Sequence, residues 1–282
     1  MGHFPSLRHR AAKVECLGLV DCCPVTLDSK SQWGSKSPMN RNNLCIALLL
    51  FAGPAEAEPT RITVRVISQD AKFVGDATGG ARVILRDAHS HKVLASGVTA
   101  GGTGDTRMIM DSKGRSPIRA TPEAASFKTT IDIDAPTRVK LEVEGPLNRP
   151  GSMIHVSAER WLMPGQSIDI ANGWMIELPG LAITTDSTLQ DQTLSIKAKV
   201  ELMCGCPITP GGLWDAADYR VEASIWRGRR LVNATPLGFV TSPGGFSVKL
   251  PAPSPGRYRL VVFAQNEKTG NSGYQQSTIS VR

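Results

Sequence analysis

The chain is poor in the features that usually announce a reaction. Aromatics are scarce, with seven Phe, five Trp and three Tyr among 282 residues. The 32 Lys and Arg residues are dispersed without a run. There is thus no basic, aromatic-bearing platform for stacking bases, and nucleic-acid binding has no support. No apolar run approaches the roughly 20 residues that a membrane-spanning helix needs; the longest, 44–52, holds nine. A Gly-x-Ser-x-Gly elbow and a His-Glu-x-x-His pair are both missing, so the common hydrolase and metalloprotease signatures are absent. Gly101-Gly-Thr-Gly-Asp has the composition of a phosphate loop but lacks its Lys-Ser/Thr and a following helix. The charged fraction of 20% excludes a highly charged disordered chain. No period of glycine or heptads suggests collagen or a coiled coil.

Residues 1–57 read differently from the rest. The stretch 1–38 carries Cys16, Cys22 and Cys23 with no sustained period, and reads as an extension ahead of the working start at Met39. From Met39 the layout is a basic Arg41, the apolar run 44–52, and Ala55-Glu56-Ala57 as a small-x-small end. That is the pattern of a secretory signal peptide over 39–57. The expected mature chain starts at Glu58 and has 225 residues, 26 of them basic and 21 acidic. Its expected location is periplasmic or secreted. Only Cys204 and Cys206 of the six cysteines remain in it. Hydrophobic cores, rather than a disulfide framework, must then hold the fold.

The mature stretch is written in period two. Ile62, Val64 and Val66 alternate with polar residues, as do Val139, Leu141 and Val143 in Thr137-Arg-Val-Lys-Leu-Glu-Val-Glu. Ala81-Arg-Val-Ile-Leu-Arg-Asp and Lys92-Val-Leu-Ala-Ser flank a polar turn and suggest a hairpin. Leu194-Ser-Ile-Lys-Ala-Lys-Val-Glu-Leu and Tyr219-Arg-Val-Glu-Ala-Ser-Ile-Trp repeat the pattern. Arg107-Met-Ile-Met reads as a short strand, with Met108 and Met110 in the core. Trp174 and Trp226, in alternating stretches, also read as core. No three-turn amphipathic helix is present, so the β-α alternation of doubly wound folds is excluded. Turn signals every 8 to 12 positions fit a sandwich. Gly256-Arg-Tyr-Arg-Leu-Val-Val-Phe-Ala, followed by Gly270-Asn-Ser-Gly, resembles the last two strands of a bacterial immunoglobulin-like or fibronectin-like module. The resemblance covers fewer than 30 residues and implies fold rather than activity. The expected fold is all-β, an immunoglobulin-like or fibronectin-like β-sandwich in two tandem domains, 58–185 and 192–282. The polar stretch 186–191 reads as their linker.

One motif stands out, Met203-Cys-Gly-Cys-Pro. Thiolates select Cu(I) or zinc, and the Met203 thioether suits Cu(I). Cys204 and Cys206 alone supply half a zinc site. The pair is also open to a local disulfide, to inert thiols, to redox chemistry or to a partner's thiols. Neighbouring Pro and Gly place it in an accessible loop. His89 and His91, two apart in a polar turn, are further candidate metal ligands, with surface turn positions as the ordinary explanation. Trp161 and Trp214 lie beside Pro/Gly loops and are candidate contacts for a partner or a glycan ring.

No catalytic residues emerge, and no cofactor is indicated beyond copper or zinc at these positions. The expected function is that of an exported, non-catalytic binding, assembly or accessory protein of the cell envelope. Its expected partner is another envelope protein or a surface ligand. The alternative is a periplasmic copper, zinc or thiol-redox accessory protein using the Met-Cys-Gly-Cys loop.

Overall fold

The computed structural model describes residues 58–282. The expected extension and leader, 1–57, lie outside the described residues. Alternation becomes burial at once. In the strand Thr137–Gly145, Val139, Leu141 and Val143 are wholly buried while the residues between them face outward. A period of two forces this outcome wherever only one face of a sheet meets a core.

Seven strands make the first sandwich: β1 (Glu58–Ser68), β2 (Arg82–Asp87), β3 (Val93–Val98), β4 (Phe127–Ile133), β5 (Thr137–Gly145), β6 (Ile154–Leu162) and β7 (Trp174–Leu178). One sheet has the order β4-β1-β7, the other β3-β2-β5-β6. All pairs are antiparallel except β1 with β7. Ile62, Val64 and Val66 of β1 meet Val83, Leu85, Val139, Leu141 and Val143 across the core. The outward face of the four-stranded sheet carries crossed charge pairs, Arg82–Glu144 and Arg86–Glu142, both at 2.9 Å.

Eight strands make the second: β8 (Leu181–Gln190), β9 (Thr193–Leu202), β10 (Tyr219–Arg227), β11 (Arg230–Pro236), β12 (Gly238–Phe239), β13 (Gly245–Pro251), β14 (Gly256–Asn266) and β15 (Ser272–Val281). The sheets run β12-β13-β9-β8 and β11-β10-β14-β15, antiparallel throughout. Tyr258, near the start of β14, sends its hydroxyl back to the Ser254 carbonyl at 2.6 Å. That bond is the corner device of immunoglobulin-like sandwiches, pinning the connection that leads into the strand. The protein is thus all-β, with its sheets arranged as two sandwich-like units in tandem.

Three local readings change. Residues 186–191 are not a linker. They are the outer half of β8 and its turn into β9, paired through Gln190↔Thr193. Asp191 and Gln192 both adopt positive φ, the geometry of a two-residue hairpin. The stretch is polar because β8 is an edge strand, and the sandwiches join instead between Leu178 and Leu181. Residues 107–110 are not a strand but lie in a helical turn, α1 (Thr106–Met110). Asp105 caps it by accepting from the Met108 N–H at 2.7 Å. Ile109 is buried there and Met108 is exposed, so the two methionines do not share a core face. Trp226 is not core. It lies on the outer face of β10, where Arg259 covers its ring at 5.5 Å and Nε1 donates to Ser224 Oγ at 2.9 Å. The inward places on β10 belong to Val221, Ala223 and Ile225. Trp174 is core, as expected.

The outer face of β4-β1-β7 is roofed. Ile67 of β1 packs with Phe73, Ile109, Ala124 and Ala125 in a small third cluster. The roof comes from Phe73, in the connection between β1 and β2, and from the long connection between β3 and β4, which carries α1.

Candidate functional site

The Met-Cys-Gly-Cys motif follows directly from β9. Cys204 and Cys206 are joined by a disulfide with their Cα atoms 5.4 Å apart. Between them Gly205 takes φ +79°, and a Cβ there would stand 2.9 Å from Thr78 Cγ2. Both the conformation and the close approach require glycine. The loop is not accessible. Cys204 is 0% and Cys206 4% exposed, and both belong to the core of the second sandwich. Met203 turns the other way. It is 1% exposed and fills the core of the first sandwich. The three sulfurs therefore do not converge on one point.

These residues form the clamp between the sandwiches. The Met203 N–H donates to Ser68 Oγ at 3.1 Å. Trp214 is half-buried against the second core, and its Nε1 donates to the Asp70 carbonyl at 2.8 Å. Asn271 Oδ1 accepts from the Gly180 N–H at 2.8 Å. Ser152 Oγ accepts from the Ile183 N–H at 2.9 Å. Glu201, almost fully buried, meets Arg149 at 3.0 Å and Lys199 at 2.6 Å. Sequence reasoning named Met203, Cys204, Cys206 and Trp214 but missed Ser68, Arg149 and Glu201. Only the docking of two modules brings those together.

The other candidates lie elsewhere. His89 and His91 are exposed in the turn between β2 and β3. Asp87 organises that turn by accepting from the N–H groups of Ser90 (2.7 Å) and His89 (2.8 Å), which hold its carboxyl below the usual range. Among the described residues, no group of three or more His, Cys, Asp or Glu side chains is placed to hold a metal ion. Trp161 is 65% exposed on β6, opposite Arg138. No helix of the described residues is long and apolar enough to cross a membrane.

A feature absent from the sequence reading lies at the open edge of the first sandwich, between β6 and β7. A cleft of about 460 Å³ is bordered by Arg115, Arg119 and Arg160, with Asn172, Trp174 and Met175 in its walls. Asn172 builds the rim. Its Oδ1 accepts from the N–H groups of Arg119 (2.8 Å) and Ala120 (3.2 Å), and its Nδ2 donates to the Pro117 carbonyl at 2.8 Å. Arg119 Nε donates to Ser112 Oγ at 3.2 Å. The Arg160 guanidinium lies over the Trp174 ring, 5.4 Å from its centroid. Among the described residues no carboxylate lines the cleft, and none of the three arginines has an ion pair. On β1, Arg65 stands in register with the cleft residue Met175. It is 5% exposed, and its Nε and Nη1 have no partner among the described residues. Burial lowers its pKa.

No family model and no curated protein matches the chain. Two solved structures are similar in outline. A DUF3823 family protein from Bacteroides ovatus aligns with TM-score 0.29 and 9% identity, covering 79% of this chain and 99% of that one. The chicken interferon gamma receptor alpha chain aligns with TM-score 0.29 and 8% identity, over 81% of this chain and 98% of that one. Likenesses this distant carry no argument about a ligand or an activity.

Proposed function

We propose that the chain is an exported, non-catalytic binding, assembly or accessory protein of the cell envelope, periplasmic or secreted, acting on another envelope protein or a surface ligand. The clamped junction carries this reading. Each sandwich inserts side chains into, or hydrogen-bonds with, its neighbour at Met203, Ser68, Trp214, Asn271 and Ser152. A joint of that kind fixes the relative orientation of two modules, which suits a protein that presents one surface to a partner. The leader pattern in 39–57 supports export. The alternative, a copper, zinc or thiol-redox accessory protein, needs free thiolates. Here both sulfurs are consumed in a buried bond, so that reading further requires reduction and opening of the clamp.

The test is to express the full chain in an envelope-bearing bacterial host and release the periplasm by osmotic shock. The expected product begins at Glu58. Purified 58–282 is expected to cosediment with isolated envelope fragments and to saturate them. A cytosolic product retaining 1–38, or no saturable cosedimentation, refutes the proposal.

A further inference from the structure

We infer that the arginine-lined cleft beside β7 is a binding site for a phosphate-class oxyanion, the acidic group of a small ligand or of a larger envelope molecule. This inference rests on the binding-protein reading and names the ligand chemistry that reading leaves open.

Three observations converge on it. First, the charge is one-sided: Arg115, Arg119 and Arg160 border one cleft with no carboxylate among its lining residues. On the same sandwich Arg61, Arg82, Arg86, Arg138 and Arg149 each face an acidic partner within 3.5 Å, whereas Arg65 and Arg107, like the cleft arginines, form no ion pair among the described residues. Arg119 also borders a neighbouring pocket with Asp70 and Glu177, toward which its Nε donates to Ser112. Arg115 and Arg160 are therefore the cleft's uncompensated cations, and an oxyanion there would accept paired N–H bonds from them.

Second, the groups are held before any ligand arrives. Asn172 ties down the backbone at Arg119, Ser112 holds the Arg119 Nε, and the Trp174 face supports Arg160. Side chains ordered in advance lose less entropy on binding. Arg115 and Arg160 are both exposed, Arg160 against the Trp174 ring and Arg115 on the roof side.

Third, the surroundings strengthen the field. Arg65 lies on the same face of the sheet as Met175 and is buried without a partner for two of its donors. Arg65 does not line the cleft; it adds a positive charge one strand away, on β1 beside the cleft strand β7. The cleft's volume of about 460 Å³ suits a small phosphate ester.

The test uses the mature protein, 58–282, and isothermal titration with inorganic phosphate, glycerol 3-phosphate and, as a neutral control, glycerol. Cosedimentation with phosphatidylglycerol vesicles forms a separate arm. Saturable phosphate binding is expected below about 20 mM, weakening as salt rises. Arg115→Gln and Arg160→Gln should each weaken it roughly tenfold, as the loss of a charge-assisted bond does. Arg115 is exposed, so its variant keeps the test valid if Arg160→Gln perturbs the Trp174 packing. Tighter binding of glycerol 3-phosphate assigns the site to free phosphate esters. Binding to vesicles that is lost in Arg115→Gln assigns it to a lipid headgroup. No saturable binding, or equal binding by wild type and both variants, overturns the inference. The two proposals fail separately: a protein retained on envelope fragments that ignores phosphate overturns the cleft assignment alone, whereas phosphate binding without envelope retention refutes the envelope reading and leaves the cleft standing.

Discussion

Replacing the two cysteines tests the burial of the junction directly. The ring closed by Cys204 and Cys206 spans three residues. Chain-entropy reasoning for so small a loop yields only about 1.5 kcal/mol of stabilisation. Wild-type protein with and without reductant should therefore differ by about that much. The side chains themselves matter more. Both sulfurs sit in the second core at 0% and 4% exposure. Cutting each back to alanine removes buried, sulfur-sized volume, worth about 1 kcal/mol per site. Cys204→Ala/Cys206→Ala should thus cost about 3–4 kcal/mol in all.

Serine is the discriminating substitution. It has nearly the size of cysteine, so it leaves less of a cavity than alanine. It also places a hydroxyl among the buried apolar residues of the second core, and an unpartnered hydroxyl costs about 1–3 kcal/mol. Cys204→Ser/Cys206→Ser should therefore be less stable than the alanine pair by at least about 1 kcal/mol. In an accessible loop the hydroxyl would be solvated and the two pairs would be about equally stable. The assay is urea unfolding followed by tryptophan fluorescence and far-ultraviolet circular dichroism, with midpoints compared at constant slope. Serine and alanine pairs agreeing within about 0.5 kcal/mol would refute the buried-clamp reasoning.

Further outcomes follow from single residues. Met203→Ala empties a site in the first core from a loop of the second, and should cost about 2–4 kcal/mol while splitting the unfolding curve into two transitions; a single transition with unchanged midpoint would contradict the clamp. Tyr258→Phe removes the bond to the Ser254 carbonyl and should lower stability by about 1 kcal/mol with no change in fold by circular dichroism. Glu142 has its pKa lowered by the hydrogen bonds from Lys140 and Arg86, so its contribution is present above the unfolded carboxyl value and lost as pH falls through the folded one. Glu142→Gln should accordingly be the less stable form near neutrality and converge with wild type only once the pH has fallen through the lowered folded-state value, as read from unfolding midpoints across pH. A fragment 192–282 discards β8 and bares the β9 edge and the face under Leu181 and Ile183, so it should aggregate, while 179–282 should give the dispersed amide spectrum of a folded sandwich.

The sandwich was legible because its strands bury only one face. In β5 and β9 the alternation is nearly unbroken, and the structure puts the in-phase apolar residues inside; β10 and β14 keep the same phase, with Trp226, Val261 and Phe263 as apolar residues on the outer face. Where reading failed, local pattern was outvoted by context. The polar end of β8 looked like a linker because an edge strand has little to bury. Arg107-Met-Ile-Met has an apolar composition that fits a strand, but the Asp105 side chain stabilises the first helical turn. Its signal was the aspartate three residues ahead of Met108, the spacing of a helix cap. Trp226 shows the reverse error. It follows Ile225 and so faces outward, and the β10 period would have placed it correctly had residue parity been weighed above size. The cleft arginines were beyond sequence reading altogether. Arg115 and Arg119 lie on a roof segment, Arg160 at the end of β6 and Asn172 just before β7, and only the meeting of two sheet edges brings them into one wall.

The sulfur motif was misread for a reason the sequence already contained. Taken as a chemical unit, Met203, Cys204 and Cys206 look like three soft ligands in a row. Taken as the continuation of β9, they separate. The even positions Leu194, Ile196, Ala198, Val200 and Leu202 all enter the second core, and Cys204, Cys206 and Ile208 continue the same phase. Met203 is odd and belongs to the opposite face. In an isolated sandwich that face would meet water, and an apolar residue there would be unexplained. Here it meets a second sandwich, whose β1 ends at Ser68 beside the Met203 N–H. Ala182, between Leu181 and Ile183 on β8, repeats the arrangement, with its neighbours in one core and itself in the other. Apolar residues on both faces at the end of two adjacent strands are the mark of a sheet covered on both sides. In a chain of tandem sandwiches that mark locates the joint, and it places the joint at 178–182 and 201–206, not in the polar stretch that follows.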